Sequence, residues 1–365
     1  MPRTIGEQEL RDIIAGAAFM GAGGGGSPKD GLKLLEELVS LGKSRLTLIS
    51  PKEMGQDELA VMVAEIGAPK VFSEIDSFPE TVTAFTVMQE TAAQAGKSIK
   101  YLMAGELGGF NTMVPLYVAA LKGVPFVDAD GNGRAVPEMG ADLYAAAEVP
   151  HSPVTMASSS GDSVIINLSD PLDHRSAENI ARHICMAYGQ TAAFCTFAVT
   201  RDTIVDRLAP GTMTLCMGIG KAFREAPGIE ELAEALGDAV GARELFAGTI
   251  SDVELKSEGG FDIGITHIEG TGAYAAKSVS IGFKNENMLL RDESGKVMAT
   301  VPDLISLVDI DTLEPLTNAD TQEGQNVAVF GATAARNWFK SPKGVSNWKP
   351  ILARFGYEGG YVPVN

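Results

Sequence analysis

The stretch KYLMAGELGGFNTMVPLYVAALKGVPFVDADGNGRAVPE, residues 100–138, reads as a strand, a helix and a second strand, each strand ending in a glycine-rich turn. Apolar runs at Lys100–Ala104 and Pro125–Asp128 flank a helical pattern near 112–122. Two strands joined through a helix lie parallel in one sheet. The same alternation extends toward the N-terminus, with helices at 6–19, 29–42 and 79–96, a glycine turn at 21–28, and strands at Leu46–Ser50 and Ala60–Ile66. The fold class is therefore α/β, with an N-terminal α/β/α layered domain around a mostly parallel sheet.

Downstream the pattern changes. VTMASSSGDSVIINL, residues 154–168, reads as two strands joined by a Ser/Gly turn, which places a boundary near residue 168. The expected domains are 1–168 and 169–365. The second opens with an amphipathic helix at Ala177–Tyr188, a strand at Ala193–Val199 and two helices over 213–241. From 243 to 335 short strands alternate with Gly, Asn and Asp turns, a spacing that suits a small barrel or sandwich.

Composition narrows the function classes. The chain has 365 residues, long enough for two cores, with 45% apolar and 21% charged residues. Its net charge is −18 and it carries no basic stripe, so nucleic acid and anionic membranes are poor partners. No apolar run is long enough to span a bilayer and the first residues lack a signal-peptide pattern, so a cytoplasmic location is expected. Three cysteines, none in CxxC spacing, argue against a disulfide framework. Self-association into a homo-oligomer is compatible with this composition.

Three glycine-rich elements carry the candidate chemistry. Gly24, Gly25 and Gly26 precede a helix; successive backbone N–H groups and the helix N-terminus can cradle a carboxylate or phosphate, or the glycines can simply form a turn. No Walker lysine follows, so no nucleotide is expected. Glu106 and Asn111 follow a strand, where ligands of parallel sheets bind, although Glu106 can equally cap the next helix. Asp128 and Asp130, two residues apart, share a face in extended backbone and can hold a cation or raise one another's pKa; the other reading is an Asx turn, with Arg134 and Glu138 as a surface pair. The loop opens like a calcium site, but Met139 occupies the twelfth position, where a bidentate Glu is required. Neither HExxH nor GxSxG occurs, and His267 is the histidine best placed to reach an interdomain cleft.

GGGGSP, AGELGGFN and VDADGNGRAVPE, in this order, with KNENMLLRDESGKVMATVPDLISLVD and FGYEGGYVPV near the end, resemble the S-methyl thiohydantoin desulfurase family over nearly the whole chain. The resemblance implies an α/β domain followed by one with a β-rich portion. It also implies a hydrolase that removes methanethiol from an S-methylated thiohydantoin to leave a hydantoin, in catabolism of sulfur-containing histidine derivatives. The expected partner is a small carboxylate-bearing heterocycle. On this expectation Glu106, Asp128 or Asp130 activates water, alone or through a metal, and Asn111 orients the ring. Arg134 or the backbone of Gly24–Gly26 holds the substrate carboxylate. A divalent metal, zinc first, would supply a strong nucleophile, but aspartates alone suit magnesium or calcium better, so zinc would need a ligand such as His267. The competing readings are another cyclic-amide hydrolase and a non-catalytic protein that binds a small carboxylate.

Overall fold

The computed structural model describes residues 1–67 and 77–364. The unit at residues 98–130 lies in the middle of its first sheet. In chain order the strands of that sheet are β1 (Arg3–Ile5), β2 (Leu46–Ile49), β3 (Glu58–Gly67), β4 (Ser98–Ala104), β5 (Phe126–Asp130), β6 (Val154–Ala157), β7 (Ser163–Ile166), β8 (Thr191–Val199) and β9 (Ala209–Pro210). The spatial order is β1-β2-β5-β4-β3-β8-β6-β7, with β9 beside β5. β2, β5, β4 and β3 form the parallel centre. β8 runs antiparallel to both β3 and β6, so this sheet draws on chain from both sides of residue 168.

The helices are α1 (Glu7–Met20), α2 (Pro28–Ser40), α3 (Pro79–Gln94), α4 (Met113–Lys122), α5 (Leu143–Ala146), α6 (His174–Ala187), α7 (Arg201–Arg207), α8 (Thr212–Glu225), α9 (Ile229–Val240), α10 (Lys343–Ser346) and α11 (Lys349–Ala353). Their ends follow local chemistry. Ser27 accepts the Lys29 N–H with Pro28 in the first turn, and Gly123 ends α4 in the left-handed region at φ 64°. None of the described helices is long and apolar enough to cross a membrane.

The second sheet contains β10 (Arg243–Glu258), β11 (Phe261–Gly270), β12 (Ser278–Lys284), β13 (Glu286–Asp292), β14 (Val297–Thr300), β15 (Leu304–Asp309), β16 (Glu314–Leu316) and β17 (Asn326–Ala332). It is wholly antiparallel, in the order β14-β13-β12-β11-β10-β17-β15-β16. The β-rich portion is as expected, but it does not close into a barrel: among the described residues no ladder joins β14 to β16, and the sheet stays open. The spacing of strands and turns that suggested a barrel does not report closure, and the strands serve two separate cores. On β17, Val327 and Val329 pack with Phe246, Ile268 and Ile281, while Ala328 and Phe330 join the core of α1 and α8. A strand buried on both faces does not need closure to hide its apolar side.

α1 ties the two sheets together. Phe19 meets the rings of Phe223 and Phe330 at 5.8 and 6.1 Å, and its carbonyl accepts the Ser306 hydroxyl at 2.8 Å. α1 and α8 approach until backbone touches backbone: a Cβ on Gly220 would lie 1.8 Å from the Asp12 carbonyl oxygen, and one on Gly16 would lie 2.0 Å from that of Cys216. Gly220→Ala is expected to force the helices apart and to cost about 1–3 kcal/mol, read as a lowered urea midpoint. An unchanged midpoint would mean that this crossing gives way freely.

Candidate functional site

Ala104 at the end of β4 pairs with Asp130 at the end of β5, and the Gly131 N–H donates to the Ala104 carbonyl at 3.1 Å. The two chains therefore leave the sheet side by side, which brings Glu106 and Asp130 to one edge. Glu106 Oε1 accepts from the Asn111 amide at 2.5 Å and Oε2 accepts from the Val136 N–H at 2.8 Å. Burial nevertheless raises the Glu106 pKa to about 7, against the opposing effect of these hydrogen bonds and of Arg134.

The glycine turn at 21–26 packs directly on this edge. Gly25 has φ +74°, and a Cβ there would lie 2.5 Å from the Gly108 Cα. Its carbonyl accepts from the N–H groups of Phe110 and Asn111 at 3.3 and 3.0 Å. Close backbone approach, with a carbonyl turned to the second loop, is the visible use of these glycines. Gly24 is buried against Glu286, whose Oε1 would lie 2.2 Å from a Cβ at Gly24. Gly26 is exposed.

The second sheet supplies residues that the sequence reading missed. β12 and β13 meet in a tight turn at Asn285, φ +56°, so Lys284 and Glu286 face one another across it. Glu286 is buried and its Oε2 has no hydrogen-bond partner. Burial and the nearby Glu106 hold its pKa well above the ordinary carboxyl range, with Arg134 and Lys284 opposing. Lys284 is buried, pairs with Glu138, and sits 3.9 Å from the centroid of the Phe261 ring. The legible signal was KNEN, four polar residues interrupting the apolar runs SVSIGF and MLL, which a turn alone explains.

The remaining candidates are held in other ways. Asp130 is buried and accepts from the N–H groups of Asn132 and Gly133; burial raises its pKa to about 7. Asp128, two residues earlier, accepts from the N–H and hydroxyl of Thr214 in the first turn of α8. Asp128 thus holds the first turn of α8, while Asp130 holds its own loop and is also influenced by Thr212 of that helix. Arg134 is fully buried, and its guanidinium donates to the carbonyls of Ala135, Pro302, Asp303 and Asn287. A substrate carboxylate could reach it only by displacing this link between the two sheets. Glu138 pairs with Lys284, not with Arg134.

The donors around Glu106 do not suit zinc. Glu106, Asp130 and Glu286 offer oxygen alone, and the three cysteines are buried thiols with raised pKa values. His267 stands four residues along β11 from Ile263, the partner of Lys284, a separation of about 13 Å at strand rise. Among the described residues the group of metal-ligating side chains whose ligand atoms lie within 4.8 Å of one another is Asp252, Glu254 and His267, on the solvent-facing part of the second sheet. A surface depression of about 540 Å³ bounded by Arg291, Gly295, Val297, Gly356, Tyr357 and Val362 offers no carboxylate or histidine.

Two histidines lie buried behind the edge. Both ring nitrogens of His151 are unpartnered, and its ring centroid is 5.2 Å from that of His174. Burial lowers the His151 pKa from 6.5 to about 4. The neutral ring is favoured in the folded state, so the stability it confers is complete above pH 6.5 and is lost as the pH falls toward 4. A His151→Phe variant is expected to show a flatter loss of urea midpoint between pH 7 and 4 than the unmodified chain; an identical slope would remove His151 from the acid response.

Comparison with known proteins adds the family level. A model of the S-Me-THD-like N-terminal domain matches residues 8–168, and one of the S-Me-THD-like C-terminal domain matches residues 172–364. A crystal structure of a protein from Chromobacterium violaceum superposes with a TM-score of 0.85 at 24% identity, covering 100% of both chains. That similarity establishes the shared fold. No curated protein matches the sequence.

Proposed function

Because the chain belongs to the S-Me-THD-like family, matched through both of its domains, we propose that it is a hydrolase that removes methanethiol from an S-methylated thiohydantoin and leaves a hydantoin. The observation that carries the reading is the pair Glu106 and Glu286. Two carboxyl groups from different sheets are both pushed up by burial, and the charge of Glu106 further raises the pKa of Glu286, so both cannot ionise cheaply. One holds a proton while the other accepts one.

Glu106, fixed by Asn111 and the Val136 N–H, acts as the base, and Glu286, whose Oε2 has no hydrogen-bond partner and whose proton is favoured by burial and by the charge of Glu106, acts as the acid. Glu106 takes a proton from water as the water oxygen bonds to the ring carbon that bears sulfur. The C=N electron pair moves onto the ring nitrogen. Collapse of this adduct breaks the C–S bond, and the leaving thiolate takes the Glu286 proton. The hydroxyl proton of the adduct restores Glu286, and the proton on Glu106 passes to the ring nitrogen. Of the two water protons one ends on nitrogen and the other replaces the Glu286 proton given to sulfur, so the site returns to its starting state. A five-membered ring with alternating N–H donors and carbonyl acceptors also complements a wall of carboxyl, ammonium and amide groups.

Asp130 and Arg134 support this pair from behind, and the glycine turn closes one side. The test is incubation of the purified protein with an S-methyl thiohydantoin acid while thiol and hydantoin are measured together. Equal amounts of both are expected; loss of substrate without thiol would overturn the desulfurase reading.

A further inference from the structure

We propose that Lys284 is a catalytic residue of this site, its ammonium contacting the ring nitrogen or carbonyl oxygen that gains negative charge when water adds. The inference rests on the hydrolase reading and names a residue that reading does not require.

Three observations place Lys284 there. It lies directly across the Asn285 turn from Glu286, and cross-strand partners point to one side of a sheet. Glu286 itself packs on Gly24 and is electrostatically linked to Glu106. The carboxylate that pairs with Lys284 is Glu138, two residues beyond Val136, whose N–H holds Glu106. Lys284 is thus flanked by the proposed acid on its own hairpin and by the segment that fixes the proposed base.

The hydrogen-bond inventory of the ammonium separates this from a purely structural ion pair. An ammonium has three N–H donors. Among the described residues one carboxylate, that of Glu138, accepts from it, and the Phe261 ring covers another side. The side chain is only 3% exposed, so water does not readily satisfy the remainder. A bound acceptor would. In a site of low polarity a fixed cation stabilises developing negative charge far more than it would in water, and no reorganisation is needed at the moment of reaction. Lys284 keeps its proton throughout, so the proton balance above is unchanged.

The test compares Lys284→Met and Lys284→Arg with the unmodified chain, and measures binding of hydantoin itself across pH by calorimetry. Lys284→Met is expected to lower kcat for thiol release about 10²–10³-fold, as loss of one oxyanion donor does, with KM within about threefold; Lys284→Arg should recover at least tenfold of the loss. The unmodified chain should bind the deprotonated ring more tightly than the neutral one. A folded Lys284→Met protein with kcat within about threefold of the unmodified chain would overturn the proposal. So would equal affinity for neutral and deprotonated hydantoin, a result that needs no variant to fold. Absence of thiol release by the unmodified chain would instead overturn the hydrolase reading, and this proposal with it.

Discussion

Glu106→Gln is expected to lower kcat for thiol release about 10²–10⁴-fold, the range for loss of a positioned general base, while the urea midpoint stays close to that of the unmodified chain. Gln is isosteric, and its carbonyl can still accept from the Val136 N–H. Its amide then faces Asn111, which can rotate its own amide to present oxygen. The change removes the base and keeps the contacts. It should also alter the pH dependence. With Glu106 near pH 7, turnover by the unmodified chain rises as the pH passes through about 7 and the base ionises. Glu286, held well above the ordinary carboxyl range by burial and by Glu106, sets the opposite limb at higher pH. In Glu106→Gln the rising limb should vanish from the residual rate. A retained limb with a normal rate would assign the base to another group.

Arg134→Met is expected to destabilise the fold by about 3–5 kcal/mol, the largest stability effect predicted, because it strips a buried cation from a set of buried partners. Four carbonyls, those of Ala135, Asn287, Pro302 and Asp303, lose a donor together. Three of them belong to the second sheet or its connections, so the loss falls on the contact between the sheets. The same cation also lowers the pKa of Glu106 and of Glu286. Its removal should therefore move the rising limb of turnover to higher pH in whatever protein remains folded. Urea titration reads the first effect and the rate profile reads the second. A variant as stable as the unmodified chain would show that the four carbonyls find other donors.

The strand–helix–strand logic of residues 98–130 was legible because apolar runs and glycine turns there obey simple periods. Glu106 and Asn111 stood out as candidates for a related reason: a polar residue just past a parallel strand has little packing role and lies at the edge where ligands of such sheets bind. Asp128 and Asp130 looked alike at spacing two, but spacing carries no information about Thr214, which α8 brings to Asp128 from far along the chain. The surface-pair reading of Arg134 and Glu138 failed for the same reason, since the acceptors of Arg134 lie mostly in loops and strands beyond residue 286. Glu286 and Lys284 were hidden because only the packing of the two sheets brings them to Gly24, Glu138 and the charge of Glu106. The barrel expectation failed because strand-and-turn spacing does not report closure: β17 has one face in each of two cores instead of one interior.

The most direct test of the hydrolytic claim is turnover of an S-methyl thiohydantoin acid in ¹⁸O-labelled water, with thiol and product mass followed together. One ¹⁸O in the ring carbonyl that replaces the C–S bond, with one methanethiol released per hydantoin formed, is the predicted result. Label recovered in a carboxylate of a ring-opened product that still carries sulfur would contradict it.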